Sequence, residues 1–331
     1  MPDPQTVGEI GEFGLLRLIR DWLPAPGKGV LIGLGDDAAI VSPQARPSVV
    51  TTDAMVEGSH FLRDWASAAD VAHKLLAANL SDLAAKAAEP GYGVISLGLP
   101  PSTPVEWVRG FYERLAELGP RWQIDLIGGD LVKSEAIFIS MTVWGQLLTD
   151  QPITNDGARP GDRILVTGTL GDSAAGLALS LTPSTEAGPE SRAFLRDRFL
   201  RPTPRLESAR LIAQHVTPSS MTDLSDGLAR DLPKICAASR VGAQIDTSQL
   251  PCSPALLDYA KDESFRMAWK GGEDFELLLT LSPAETERLQ AVWRFDDLAL
   301  TQIGEITQDQ GIRWMDRDET PPLGFDHYRK D

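Results

Sequence analysis

The chain has 331 residues, 42% of them hydrophobic, with 31 Lys and Arg against 47 Asp and Glu and a net charge of -16. That length can bury a full core and suggests two domains, while the acidic balance and the absence of a Lys/Arg cluster exclude a nucleic-acid backbone as partner. No basic segment followed by an apolar one opens the chain, and no apolar run approaches membrane-spanning length, so a cytoplasmic protein without a membrane partner is expected.

In chain order, GEFGLLRLIRDWL spaces Phe13, Leu16, Ile19 and Leu23 helically and predicts an amphipathic opening helix. Strands are expected over 30–34 and 48–52, a long Ala/Leu-rich helix over 67–86, a strand over 93–99, a helix over 104–118, and strands over 124–127 and 136–146. This is a mixed α/β half. TDQPITNDGARPGD, residues 149–162, is aperiodic and rich in Pro, Gly, Asn and Asp, which sets a domain boundary and divides the chain into 1–148 and 149–331. The second half restarts with the strand RILVTG and a turn bearing Gly168, Gly171 and Gly176 before a helix. Two readings stand for that turn: its amides cradle an anion at a helix N-terminus, or it is a tight strand-to-helix connection. Residues 182–192 read as an exposed loop, 204–215 as a helix, and DGLARDLPKICAASR as a helix interrupted near Pro233. GGEDFELLLTL is a turn feeding a strand. Cys236 and Cys252 form no CxxC and read as structural thiols in a reducing compartment.

The acidic residues carry the chemistry. Five short segments each end in a carboxylate after an apolar or glycine-bearing run: Asp36 and Asp37 in VLIGLGDDAA, Asp53 in VVTTD, Asp82 in NLSD, Asp130 in LIGGD, and Asp223 and Asp226 in MTDLSDG. Carboxylates gathered at the ends of buried strands repel one another unless a cation lies among them. Mg²⁺, which takes hard oxygen ligands and shares them with substrate phosphates, is the expected occupant. Asp82 follows Val71, Leu75 and Ala78 at helical intervals, which puts its charge on the apolar stripe of the long helix and calls for a cation or a ring of donors. His60, in VEGSHF, could reach a phosphate or serve as a hydrogen-bonded loop histidine. The chain has no GxxxxGK[ST], no kinase HRDxxxxN and no GxSxG elbow. Phosphoryl transfer to an acceptor that is already anionic would need metal rather than a protein base, so no catalytic side chain is expected.

GEFGLL, GLGDDAA, TTDAMVEGSHF, NLSDLAAKAAEP, IGGD, PGDRILVTGTLGDSAAGLAL, DLSDGL and GGEDFEL, in this order and spacing, closely resemble the thiamine-monophosphate kinases. The likeness runs from about residue 8 to 328, and GDD, GGD and SDG are shared with a superfamily that includes aminoimidazole ribonucleotide and selenophosphate synthetases. It implies two α/β domains, the N-terminal one with a mixed sheet through which two copies dimerise, the C-terminal one completing the active site. It implies several Mg²⁺ ions, ATP as co-substrate, and transfer of the γ-phosphoryl group to thiamine monophosphate, giving thiamine diphosphate. Carried over by motif, the metal ligands fall on Asp37, Thr51, Thr52, Asp53, Asp82, Asp130, Asp223 and Asp226. Nucleotide contacts fall on Tyr112, Gly129, Asp130 and Ser225, and acceptor contacts on His60, Glu273 and Phe325. One departure is Asn155, which stands where the family often has a phosphate-binding arginine. Another ATP-dependent enzyme of the superfamily and a noncatalytic metal and nucleotide sensor are the alternatives. Selenophosphate-type chemistry needs an N-terminal cysteine, and both cysteines here lie beyond residue 230.

Overall fold

A computed structural model describes residues 5–34, 38–43, 45–182 and 186–316. The chain divides into two compact units, residues 1–83 with 89–147, and residues 84–88 with 148–331. Among the described residues no helix is long and apolar enough to cross a membrane.

The first unit runs α1 (Val7–Trp22), β1 (Val30–Ile32), β2 (Ile40–Val41), β3 (Ser48–Val56), α2 (Ala68–Ala85), β4 (Ala88–Leu99), α3 (Val105–Trp122), β5 (Asp125–Lys133) and β6 (Phe138–Leu147). β1 and β2 form a small antiparallel ribbon, and the main sheet has the order β3-β6-β4-β5, with β3 antiparallel to β6 and β4 parallel to β5. Burial alternates along it: Ile139, Met141 and Val143 of β6 and Ile95 and Leu97 of β4 face a core shared with Leu75 and Leu76 of α2 and Phe111 and Leu115 of α3. The other face carries Val50, Trp144, Val132 and Phe138, of which Val50 and Val132 are each about half exposed.

Several expectations need correction. In α1 the buried residues are Leu15 and Ile19, while Phe13 is 78% exposed. The covered stripe runs through Leu15, Leu18, Ile19 and Trp22 rather than Phe13 and Leu16, and the kink at Gly11, φ 67°, lies ahead of it. α2 is buried almost all round, so the apolar stripe assigned to it has no solvated face opposite. β3 pairs with β6 along its whole length, from Ser48↔Gln146 to Val56↔Phe138, so Asp53 lies inside a strand rather than at its end. Asp130, paired with Ser96, is likewise inside β5.

The second unit contains β7 (Arg163–Thr167), α4 (Asp172–Leu181), α5 (Pro189–Leu200), α6 (Leu206–His215), β8 (Ser220–Asp223), α7 (Leu228–Ser239), β9 (Gly242–Ile245), α8 (Pro254–Ala260), α9 (Ser264–Lys270), β10 (Leu277–Leu281), α10 (Pro283–Val292), β11 (Leu300–Thr307) and β12 (Gly311–Trp314). Its sheet has the order β12-β9-β11-β7-β10-β8, antiparallel except for β12 beside β9. Ile164, Val166, Leu278 and Ile303 of the sheet pack with Leu232 and Ile235 of α7, Trp269 and Trp314. The expected loop over 182–192 is overturned from Pro189 on, where α5 begins with a proline whose ring supplies preset helical geometry. α7 continues through Pro233, because its buried stripe of Leu228, Leu232, Ile235 and Cys236 outweighs one missing amide donor.

Candidate functional site

In the first unit Thr51 Oγ1 donates to Asp82 Oδ2 at 2.5 Å, tying β3 to α2. Strand alternation puts Asp53 on the same side as Thr51. Burial, and then the charge of Asp82, push the Asp53 carboxyl up to about 6. Two carboxylates that raise each other's cost of ionisation, beside a hydroxyl, make a set of hard oxygen donors suited to a divalent cation. Thr52 faces the opposite side, where its Oγ1 donates to Met141 O at 3.0 Å and accepts from Thr142 Oγ1 at 3.0 Å.

Asp130 is exposed and in register with exposed Ser96, between the buried positions Ile95 and Leu97. It therefore stands on the open face with Thr52, but on the edge strand opposite to β3. Two strands intervene, a spacing of about 14 Å. A Cβ at Gly129 would come within 2.3 Å of Ile95 O, so this position needs glycine for the two backbones to approach. Tyr112 is buried on α3 with its ring edge-on to Phe111, which leaves it little surface to offer a ligand.

His60 closes a turn after β3. Its backbone N–H donates to Val56 O at 2.9 Å, and Val56 N–H donates back to His60 Nδ1 at 3.2 Å. The neutral ring thus carries its proton on Nε2.

In the second unit the DLSDG and GGEDFEL segments, which read as separate motifs, run side by side. Glu273 N–H donates to Ser225 O at 2.8 Å, Phe275 N–H to Leu224 O at 3.0 Å, and Leu224 N–H to Glu276 O at 2.8 Å, continuing the pairing of Asp223 with Leu277. Glu273 and Phe275 are left-handed, φ 62° and 52°, and Glu273 is half-buried beside Ser225. Asp223 is buried at the end of β8. Asp226 accepts from Lys234 Nζ at 2.7 Å, and its N–H donates to Asp231 Oδ2 at 3.0 Å.

Four charged residues that sequence reasoning missed hold this arrangement. Glu276, fully buried, accepts from Arg198 Nη2 at 2.8 Å, Arg205 Nε at 2.6 Å and Thr167 Oγ1 at 2.7 Å. Asp274 accepts from the amides of Gly171 at 2.7 Å and Ser173 at 3.1 Å, the first turn of α4. Of the two readings of the glycine turn this supports the tight strand-to-helix connection, since its amides are taken by a side chain of the protein itself. Burial pushes Asp274 up to about 7 against the lowering effect of these amides and of Arg198. Gly176 serves packing, since a Cβ there would meet Leu195 O of α5 at 2.1 Å.

Among the described residues no three His, Cys, Asp or Glu side chains form a group able to hold a metal. Asp53 and Asp82 pair, Asp130 stands on the other face of the same sheet, and Asp223 and Asp226 belong to the second unit. Asp36, Asp37 and Phe325 lie outside the described residues.

Family models for the AIR synthase related protein match this chain, the N-terminal domain over residues 35–147 and the C-terminal domain over 159–316. The thiamine-monophosphate kinase of Escherichia coli (strain K12) is 36% identical over 324 residues, 96% of this chain and 98% of its own. A crystal structure of thiamine-monophosphate kinase from Stenotrophomonas maltophilia K279a gives a TM-score of 0.83 at 36% identity, covering 94% of this chain and 98% of that one. AaThiL complexed with AMPPCP and TMP gives 0.77 at 33% identity, covering 98% and 100%. Sequence identity of this order, sustained across both domains and nearly the whole of each partner, establishes that the chain belongs to the thiamine-monophosphate kinase family.

Proposed function

We propose that the protein transfers the γ-phosphoryl group of ATP to the phosphate of thiamine monophosphate, yielding thiamine diphosphate and ADP, in the cytoplasm. The observation that carries the site assignment is the half-buried Asp53 beside Asp82, with Thr51 bonded to Asp82, a donor set that is costly unless a cation joins it. Thr51, Thr52, Asp53, Asp82, Asp130, Asp223 and Asp226, with Asp37, would hold Mg²⁺, Thr52 by its main chain or from the open face. Bound Mg²⁺ supplies charge neutralisation between two polyanions and aligns them for in-line transfer.

The chain's own residues bind and orient. Gly129, Asp130 and Ser225 serve the nucleotide side, with Tyr112 supporting them from the core, and His60, Glu273 and Phe325 serve the acceptor. With Nδ1 engaged by Val56, His60 presents Nε2–H, a donor suited to holding an anionic phosphate rather than accepting its proton. A phosphate monoester has a second pKa of about 6, so at neutral pH the acceptor oxygen is already ionised and no protein base is required. A homodimer through the open face of the first unit's sheet is part of this reading, supported by the exposed Val50, Val132 and Phe138 on it.

The test is substrate choice. With Mg²⁺ and ATP the purified protein should phosphorylate thiamine monophosphate and hardly touch thiamine, because a metal-bridged acceptor phosphate is what the acidic residues serve. Equal rates on the two would overturn the proposal.

A further inference from the structure

Lys234 reaches the DLSDG turn: its Nζ lies 2.7 Å from Asp226 Oδ2 and 2.8 Å from Asp231 Oδ1. Asp231 is buried, and its second oxygen takes the Asp226 N–H at 3.0 Å. The buried carboxylate therefore holds the backbone of Asp226 with one oxygen and parks the ammonium on the Asp226 side chain with the other. Lys234 itself is about half exposed, on a stem of four methylenes, and can leave Asp226 without repacking anything while Asp231 retains it.

An ammonium and a divalent cation compete for the same carboxylate lone pairs, and each raises the cost of the other nearby. We infer that Lys234 is a resident counter-cation of this turn, occupying Asp226 until a divalent ion takes it, and that it thereby holds down the affinity of the turn for free metal. The inference rests on the proposed role of Asp226 as a metal ligand. Its use to the enzyme is selectivity for loaded nucleotide: an incoming polyphosphate draws the ammonium off Asp226 and frees the carboxylate for the ion that arrives with it. Metal without nucleotide meets an occupied ligand.

The probe is Mn²⁺, added to the full-length protein after stripping with EDTA, with free Mn²⁺ counted by electron paramagnetic resonance and no nucleotide present. Lys234→Met should bind Mn²⁺ about two- to fivefold more tightly than wild type, the scale of a partly exposed ion pair. Lys234→Arg, which keeps the cation, should match wild type, and the gain should vanish when Lys234→Met is combined with Asp226→Asn. Melting curves in EDTA establish that each variant is folded. Wild-type or weaker affinity in Lys234→Met, with binding lost in Asp226→Asn, overturns the inference and leaves Asp226 as a ligand. Unchanged binding in Asp226→Asn overturns the ligand assignment itself.

Discussion

Asp53 is half-buried and Glu276 fully buried, and the surroundings of the two carboxylates give opposite expectations for the same chemical change. Asp53 has a second acid, Asp82, as its main charged neighbour, so its ionised form is held at a cost in the metal-free protein. Asp53→Asn should raise the melting temperature in EDTA, by about 1 kcal/mol of stability, while turnover falls by orders of magnitude. A melting temperature that drops together with activity would make Asp53 a structural residue. Glu276 is instead ringed by Arg198, Arg205 and Thr167, and Glu276→Gln leaves two guanidinium groups facing a neutral amide. It should cost about 3 kcal/mol or more in chemical denaturation. The difference in legibility has a physical cause. Asp53 follows two threonines in a run with local pattern, whereas the partners of Glu276 lie 71 and 109 residues away, at Arg205 and Thr167, and no local window contains them.

At the level of elements, α2 was readable within a residue or two at each end because its Ala/Leu composition is local, whereas the phase of α1 was not, because Phe13, Leu15, Leu16, Leu18 and Ile19 offer apolar residues on more than one face and only packing selects Leu15 and Ile19. α5 was hidden by a Pro/Ser/Gly-rich lead that also describes a loop. The turn into α4 makes a pH prediction. Asp274 has a folded-state value of about 7 against 3.8 ordinarily, so the native protein binds its proton more tightly than the unfolded chain does. Its stabilising contribution is complete below pH 4 and is lost as pH rises through 7. Asp274→Asn, which cannot ionise, should gain on wild type by about 2 kcal/mol between pH 5 and 7, read from urea midpoints at each pH. A constant difference between the two proteins would contradict the assignment.

For the molecule as a whole, the sheet of the first unit sets a condition on assembly. Asp53 faces the helices from one edge strand and Asp130 faces outward from the other, so a second copy seated on the open face meets Asp130 and leaves Asp53 behind the sheet. Val50→Lys with Val132→Lys should convert the proposed homodimer to monomers in light scattering, with activity lost alongside. The acidic motifs were legible in the sequence, but this division of them between faces was not, because it depends on strand order and register.

Asp274 on the amides of α4 has the form of a receptor whose ligand is joined to it by the chain. A tethered carboxylate acts at an effective concentration that free anions in solution do not reach, which keeps the turn closed to phosphate however much is present. Cutting the tether should reverse that: Asp274→Gly leaves the Gly171 and Ser173 amides beside Arg198 with a space the size of a small carboxylate. Formate added at tens of millimolar should then raise the melting temperature of that variant and leave wild type unmoved, turning a structural contact into a soluble-anion sensor.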